Sequence, residues 1–125
     1  MSRSASSTRA WVAFGVAVAV QLVALYAPRA PSEGGGHGVD KLVHAAIFAA
    51  VVWTGRRAGL PFVWVVLVCA VHAPLSEWVQ SHFLPHRDGS VSDAVADLVG
   101  VAIGAFAPVR RAPSVDQPDR ERMAS

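Results

Sequence analysis

Four runs of apolar residues, separated by short polar segments, constrain this chain more than any other feature of its 125 residues. With the polar residues at their ends, the runs cover residues 11–27, 40–54, 60–80 and 91–109. Crossing about 30 Å of hydrocarbon takes roughly 20 helical residues. The runs are continuous rather than alternating, and an open sheet cannot span lipid, which argues against strands. The sequence therefore predicts an all-α fold, an integral membrane bundle of four transmembrane helices.

Composition supports one membrane domain rather than a soluble one. Hydrophobic residues make up 53% of the chain and charged residues 16%, which is too apolar for an ordinary soluble domain of this size. The predicted organisation is a tail over residues 1–10, a transmembrane domain over residues 11–109 and a disordered tail over residues 110–125. No basic patch with interleaved aromatic residues is present in the sequence, so nucleic acid is not an expected partner.

The distribution of positive charge predicts the orientation of the bundle. The chain has one lysine and ten arginines. Eight of these cations lie in the two tails and in the segment between the second and third runs, and the other three lie in the remaining two segments. The eight are Arg3, Arg9, Arg56, Arg57, Arg110, Arg111, Arg120 and Arg122. Because cytoplasmic segments carry the excess of positive charge, both termini are predicted to be cytoplasmic. The expected location is the cell membrane, as a multi-pass protein, with residues 28–40 and 81–90 on the outer side.

The first run could also be read as a signal peptide, since arginines precede it. Pro28 follows Ala27 and Pro31 follows Ala30, and proline directly after the cut disfavours cleavage. A retained helix is therefore predicted. The glycine-rich segment 28–39 that follows is predicted to be a flexible linker, and no role is assigned to His37.

Asp40-Lys41-x-x-His44 opens the second run at its outer end. Asp40 is placed to cap the helix, and Lys41 can reach the headgroups or pair with a carboxylate. For both residues, a place in a binding site is as good an interpretation as these structural roles. His44 lies one turn into an apolar helix, where a purely structural role is harder to justify, because ionisable residues at membrane depth are costly.

Glu77 and Gln80 lie three residues apart at the outer end of the third run and share one helix face. Glu77 is the strongest candidate for an acid or base, with His44 as its partner. The alternative is a structural ion pair between Glu77 and either Arg87 or Lys41.

The fourth run opens with Ser90-x-x-Asp93, a capping-box pattern. Asp93, Asp97, Gly100 and Gly104 then recur on one helix face, and Gly-x-x-x-Gly permits close helix packing. The two aspartates are therefore predicted to face the bundle interior beside Glu77. Arg87 is the expected counter-ion, and its guanidinium also suits a phosphate or carboxylate ligand.

Two metal sites can be considered from the sequence. His82 and His86 are four residues apart, but Pro85 interrupts the helix that would align them. A divalent cation held by Glu77, Asp93 and Asp97 is chemically reasonable but matches no known spacing. No metal and no cofactor are therefore assigned from the sequence.

The order of these motifs resembles the VanZ-like family of small bacterial membrane proteins over residues 39 to 106. The matching positions are Asp40, Lys41, His44, Glu77, Gln80, Pro85, Arg87, Asp93, Gly100 and Gly104. Asp97 stands where the family usually has asparagine, and the stretch from Gln80 to Arg87 is one residue longer than the common form. The resemblance implies a role in the cell envelope or in resistance to teicoplanin-type glycopeptide antibiotics.

Two functions are carried forward. In the first, a polar pocket in the extracytoplasmic leaflet engages membrane lipid, a lipid-linked cell-wall precursor or a lipoglycopeptide, through Asp40, Lys41, Gln80, Arg87, Asp93 and Asp97. In the second, the protein is a small intramembrane hydrolase or transferase acting on a polar lipid, with Glu77 and His44 as acid and base. The sequence leaves open whether the protein is an enzyme.

Overall fold

The computed structural model describes residues 2–28 and 37–110, which form four helices and contain no strand. The helices are α1 (Ser2–Tyr26), α2 (His37–Arg57), α3 (Phe62–Phe83) and α4 (Val91–Phe106). The predicted all-α fold is confirmed for this part of the chain. Most of the predicted linker at 28–39 and the predicted disordered tail after residue 110 lie outside the described residues.

Three of the helices are long and apolar enough to cross a membrane: Ser6–Tyr26, Gly38–Arg57 and Phe62–Phe83. Most of their residues face away from the bundle, and many of these outward residues are large and apolar. Helix α4 has 16 residues and is therefore about 24 Å long, shorter than the hydrocarbon layer. These helices are typical of a membrane protein.

Helices α2 and α4 form the closest pair in the bundle, and two glycines make this approach possible. A Cβ atom at Gly100 would overlap the carbonyl oxygen of Ala45, and one at Gly104 would lie 2.6 Å from the carbonyl oxygen of Ala49. The predicted close packing through Gly-x-x-x-Gly is confirmed, and its partner is α2. This contact brings the polar outer turns of both helices together.

The apolar core lies between the helices, below the polar end. Its buried residues are Leu25, Phe48, Val51, Val52, Val65, Cys69, Ala73, Val101 and Ala105. Helix α1 packs mainly against α2, and α3 packs mainly against α4. The single cysteine is one of these core residues, with 5% of its surface exposed.

The opposite end of the bundle is basic. Arg56 Nη1 donates to the carbonyl oxygens of Gly104 (2.8 Å) and Ala107 (2.7 Å), which lie at the C-terminal end of α4. The guanidinium of Arg57 lies 4.7 Å from the centre of the Trp53 ring. Carbonyl groups at a helix C-terminus have no hydrogen-bond partner within the helix. Arg56 supplies that partner to Gly104 and Ala107, and its positive charge is favourable at this end of the helix dipole.

The sequence predicted two helix-capping residues, Ser90 and Asp40, and the structure confirms only Ser90. Ser90 caps α4 as predicted, because its Oγ accepts from the backbone N–H of Asp93 at 3.1 Å. The predicted capping role of Asp40 is wrong, because α2 begins at His37 and Asp40 lies in its first turn. A carboxylate in the first turn is still stabilised by the positive end of the helix dipole. The same preference applies to a capping residue, which is why Asp40 resembles one in the sequence.

Candidate functional site

Three ionisable side chains from three helices meet at the polar end of the bundle. His44 from α2, Glu77 from α3 and Asp97 from α4 are 4%, 6% and 0% exposed. His44 Nδ1 lies 2.9 Å from Asp97 Oδ1, within hydrogen-bond distance, and 3.7 Å from Glu77 Oε1. We refer to these three residues as the buried triad. The sequence named Glu77 and His44 as partners and placed Asp97 on an interior helix face, and the packing brings Asp97 onto His44.

The loop between α3 and α4 holds Glu77 from the other side. The backbone N–H of Ser90 donates to Glu77 Oε2 at 2.9 Å, so one carboxylate oxygen is satisfied. Gly89 allows this contact, because a Cβ atom there would overlap the carbonyl oxygen of Glu77. The loop therefore packs directly on α3 at the position of the triad and orients its glutamate.

Two carboxylate oxygens of the triad have no hydrogen-bond partner among the described residues. They are Glu77 Oε1 and Asp97 Oδ2, and both are fully buried. Buried polar atoms are normally satisfied, because removing them from water without a replacement partner costs free energy. These two atoms therefore mark a position at which a ligand would be stabilised.

A cleft of about 370 Å³ opens above the triad. Its lining is predominantly polar and consists of Asp40, Lys41, His44, Gln80, His86, Arg87, Asp88, Ser90, Ser92 and Asp93. His44 belongs to both the cleft lining and the triad, so it connects the two. We refer to this feature as the polar cleft.

Two cations line the polar cleft in different ways. Lys41 Nζ lies 3.5 Å from Asp93 Oδ1, and 39% of the lysine side chain is exposed. Arg87 is buried, with 8% of its surface exposed, and its Nη2 donates to the carbonyl oxygen of Ala24 in α1 at 2.6 Å. Arg87 therefore ties the loop to the first helix, a contact that no spacing in the sequence indicates.

The eight residues selected from the sequence gather at one end of the bundle. Six of them line the polar cleft: Asp40, Lys41, His44, Gln80, Arg87 and Asp93. Glu77 and Asp97 join His44 in the triad instead. Both aspartates face the interior as expected: Asp97 is fully buried beside Glu77, whereas Asp93, with 13% of its side chain exposed, lines the polar cleft and contacts Lys41.

Several polar residues near the site were not selected from the sequence. His86 and Asp88, in the loop before α4, line the polar cleft together with the cap residue Ser90 and with Ser92 in the first turn of α4. The loop residues gave no periodic signal in the sequence. His86 has a positive φ of 62°, which is uncommon for a residue other than glycine. Loops positioned by a rigid scaffold often carry functional residues, so His86 and Asp88 become candidates through their place in the cleft.

A second polar contact lies deeper, between α1 and α3. Tyr26 Oη and His72 Nε2 are 2.8 Å apart, and the His72 ring packs against Phe48 with the ring centres 5.8 Å apart. Gln21 is buried in the same helix as Tyr26, and its Nε2 has no partner within residues 2–28 and 37–110. Gln21 is the one amide side chain inside the first apolar run, and that was the signal available in the sequence.

The arrangement has two chemical capacities. A histidine held by a buried carboxylate has a fixed ring orientation, which is how a general base is positioned in many enzymes. The lysine, the arginine and the two serine hydroxyl groups of the cleft can bind an anionic polar group beside the three aspartates that also line it. His44 lies where these two capacities meet.

Comparisons of the chain with protein-family models, with curated proteins and with solved structures found no match.

Proposed function

We propose that the chain is a multi-pass protein of the cell membrane with four spans and both termini in the cytoplasm. Three helices already have the length and hydropathy of spans. The eight-to-three distribution of cations favours an extracytoplasmic position for the polar end of the bundle. The short helix α4 would cross as the fourth span by its close packing on α2 and with local thinning of the bilayer.

In this orientation the polar cleft would serve an envelope function of the VanZ-like kind. Its ligand would be an amphiphile with an anionic polar head, either a lipid-linked cell-wall precursor or a teicoplanin-type lipoglycopeptide. The observation that carries the proposal is that Lys41 and Arg87 line one cleft directly above the buried triad. An ammonium and a guanidinium in a partly desolvated cleft are suited to phosphate or carboxylate groups.

Apolar surface beside the cleft suits the lipid part of such a ligand. Leu42 follows Lys41 on α2 and is 72% exposed, and Val91 at the start of α4 is 83% exposed. In a bilayer these side chains would contact acyl chains. A ligand could therefore place its head in the cleft while its tail remains in the lipid.

Susceptibility of a teicoplanin-sensitive Gram-positive host tests the envelope role. We expect the chain to protect against teicoplanin more than against vancomycin, and we expect Arg87→Ala and Glu77→Ala to lose that protection at equal membrane abundance. Arg110→Ala, which removes the same side chain at the opposite end, is the matched control. Full protection by Arg87→Ala would exclude the cleft as the binding site.

Direct binding separates the two ligand sources. The purified chain in detergent is titrated with teicoplanin and, separately, with a lipid-linked diphosphate precursor. Lys41→Gln changes a half-exposed side chain and should weaken binding of the true ligand without altering the fold. A drop in affinity for one ligand alone identifies it, and binding of neither ligand rejects this proposal.

One observation favours a second function, an intramembrane hydrolase or transferase acting on a polar lipid. His44 lines the cleft and is held by Asp97 at 2.9 Å, the geometry of an oriented base. Glu77 would take part in proton transfer, and Arg87 would bind the anionic group of the substrate. Phosphate release or lipid turnover by the purified chain, lost in Glu77→Gln, would support this function over simple binding.

A further inference from the structure

The buried triad has the composition of a metal site. It combines one imidazole and two carboxylates, and the three candidate ligand atoms lie within 4.8 Å of one another. Even a protonated His44 supplies only one positive charge to two carboxylates. Ions of opposite charge, metals included, are the usual companions of such buried groups.

The distances within the triad are close to those around a bound ion. Neighbouring ligand atoms of a tetrahedral zinc ion, each about 2.1 Å from the metal, are about 3.4 Å apart. His44 Nδ1 lies 2.9 Å from Asp97 Oδ1 and 3.7 Å from Glu77 Oε1, on either side of that value. Small rotations of the two carboxylates would bring all three residues onto one ion.

A second, independent observation is the pair of unsatisfied oxygens. Glu77 Oε1 and Asp97 Oδ2 are buried without a hydrogen-bond partner in the described part of the chain, although the other oxygen of each carboxylate is engaged. The backbone N–H of Ser90 holds Glu77 Oε2, which is the kind of supporting contact that orients metal ligands. A cation bound to His44 Nδ1 would replace the contact between His44 and Asp97 Oδ1. It would give a partner to Glu77 Oε1 and, after rotation of the aspartate carboxylate, to Asp97 Oδ2.

We propose that His44, Glu77 and Asp97 bind one divalent transition-metal ion, Zn²⁺ or Mn²⁺. The imidazole selects against Mg²⁺ and Ca²⁺, which prefer oxygen ligands alone. This site differs from the oxygen-only set of Glu77, Asp93 and Asp97 that the sequence suggested, because Asp93 contacts Lys41 instead. The proposal does not depend on which ligand occupies the polar cleft.

A bound ion would have a specific place in the site. Three protein ligands leave a coordination position for water or substrate, which is typical of catalytic rather than structural zinc. Because His44 also lines the cleft, we expect the open position to face a ligand bound there. In the binding function, the same ion would contribute positive charge beneath the anionic head.

Metal content of the purified chain tests the proposal. The full chain in detergent is stripped with a chelator, equilibrated with ZnCl₂ or MnCl₂, desalted and measured by mass spectrometry. We expect one ion per chain, and at least about tenfold less in Glu77→Gln, Asp97→Asn and His44→Gln. His82→Gln makes the same change as His44→Gln at an exposed position outside the polar cleft and should retain the metal.

A measurement on the unaltered chain guards against variants that fail to fold. Co²⁺ added to the stripped protein should give the visible absorption of a low-symmetry site, and Zn²⁺ should abolish it by displacement. No zinc or manganese above the level of the His44→Gln variant, an equal loss in the His82→Gln control, or binding of Mg²⁺ alone would each overturn the proposal. The susceptibility experiment above has a separate readout, so failure of either idea is distinguishable from failure of the other.

Discussion

His44 on α2 and Asp97 on α4 are joined by a contact of 2.9 Å across the tightest helix pair of the bundle. On α4 the contact lies about one turn before Gly100, whose missing side chain lets the backbone of α4 approach Ala45. The polar pair and the glycine are therefore parts of one interface. Close packing sets the distance at which the two side chains meet.

Asp97→Ala should destabilise the protein strongly, because it leaves His44 buried without its closest partner. Removing one member of a buried charged pair costs about 3 kcal/mol. Asp93→Ala is the matched control, since its partner Lys41 is partly exposed and such pairs contribute at most about 1 kcal/mol. Thermal unfolding in detergent, followed by circular dichroism, measures both variants, and equal shifts would contradict the importance of the buried pair.

Gly100→Ala should also destabilise the bundle, by about 1–3 kcal/mol, because the new methyl group overlaps the carbonyl of Ala45 and forces α2 and α4 apart. Gly15→Ala is the internal control. Nothing lies within 4 Å of a Cβ atom at Gly15, so the higher helix propensity of alanine should leave stability unchanged or raise it. A tolerated Gly100→Ala would mean that the two helices can separate freely.

Arg56→Ala should lower the unfolding midpoint more than Arg57→Ala does. Arg56 makes two hydrogen bonds to carbonyls at the end of α4, and losing them should cost about 2 kcal/mol. Arg57 has only the Trp53 ring as its described contact, an interaction of about 0.5–1 kcal/mol. The reverse order of midpoints would show that capping of α4 contributes little.

The proposed orientation is testable with single cysteines in a Cys69→Ala background. Asp88 is exposed in the loop before α4, and Ala58 lies in the turn between α2 and α3. A membrane-impermeant maleimide should label Asp88→Cys in intact cells and Ala58→Cys only after permeabilisation. The opposite pattern would place the polar cleft on the cytoplasmic side and remove the basis for an extracellular ligand.

Much of the architecture could be predicted because it depends on local spacing and length. Continuous apolar runs indicated helices, and the Ser90 capping pattern located the start of α4. The helical repeat placed Asp97, Gly100 and Gly104 on one face, and all three are buried. The start of α2 was missed because a carboxylate is favourable both at a cap and in the first turn, so Asp40 did not distinguish them.

By itself, the sequence determined the helical class, the interior face of α4 and the gathering of polar residues at one end of the bundle. Only the tertiary structure decided that His44, the expected partner of Glu77, contacts Asp97, that Asp93 contacts Lys41, and that Arg87 contacts Ala24. The physical reason is that a helical repeat determines which residues of one helix share a face. Which faces meet, and at what rotation and depth, is set by packing between helices, and here by the glycines that allow α4 to approach α2.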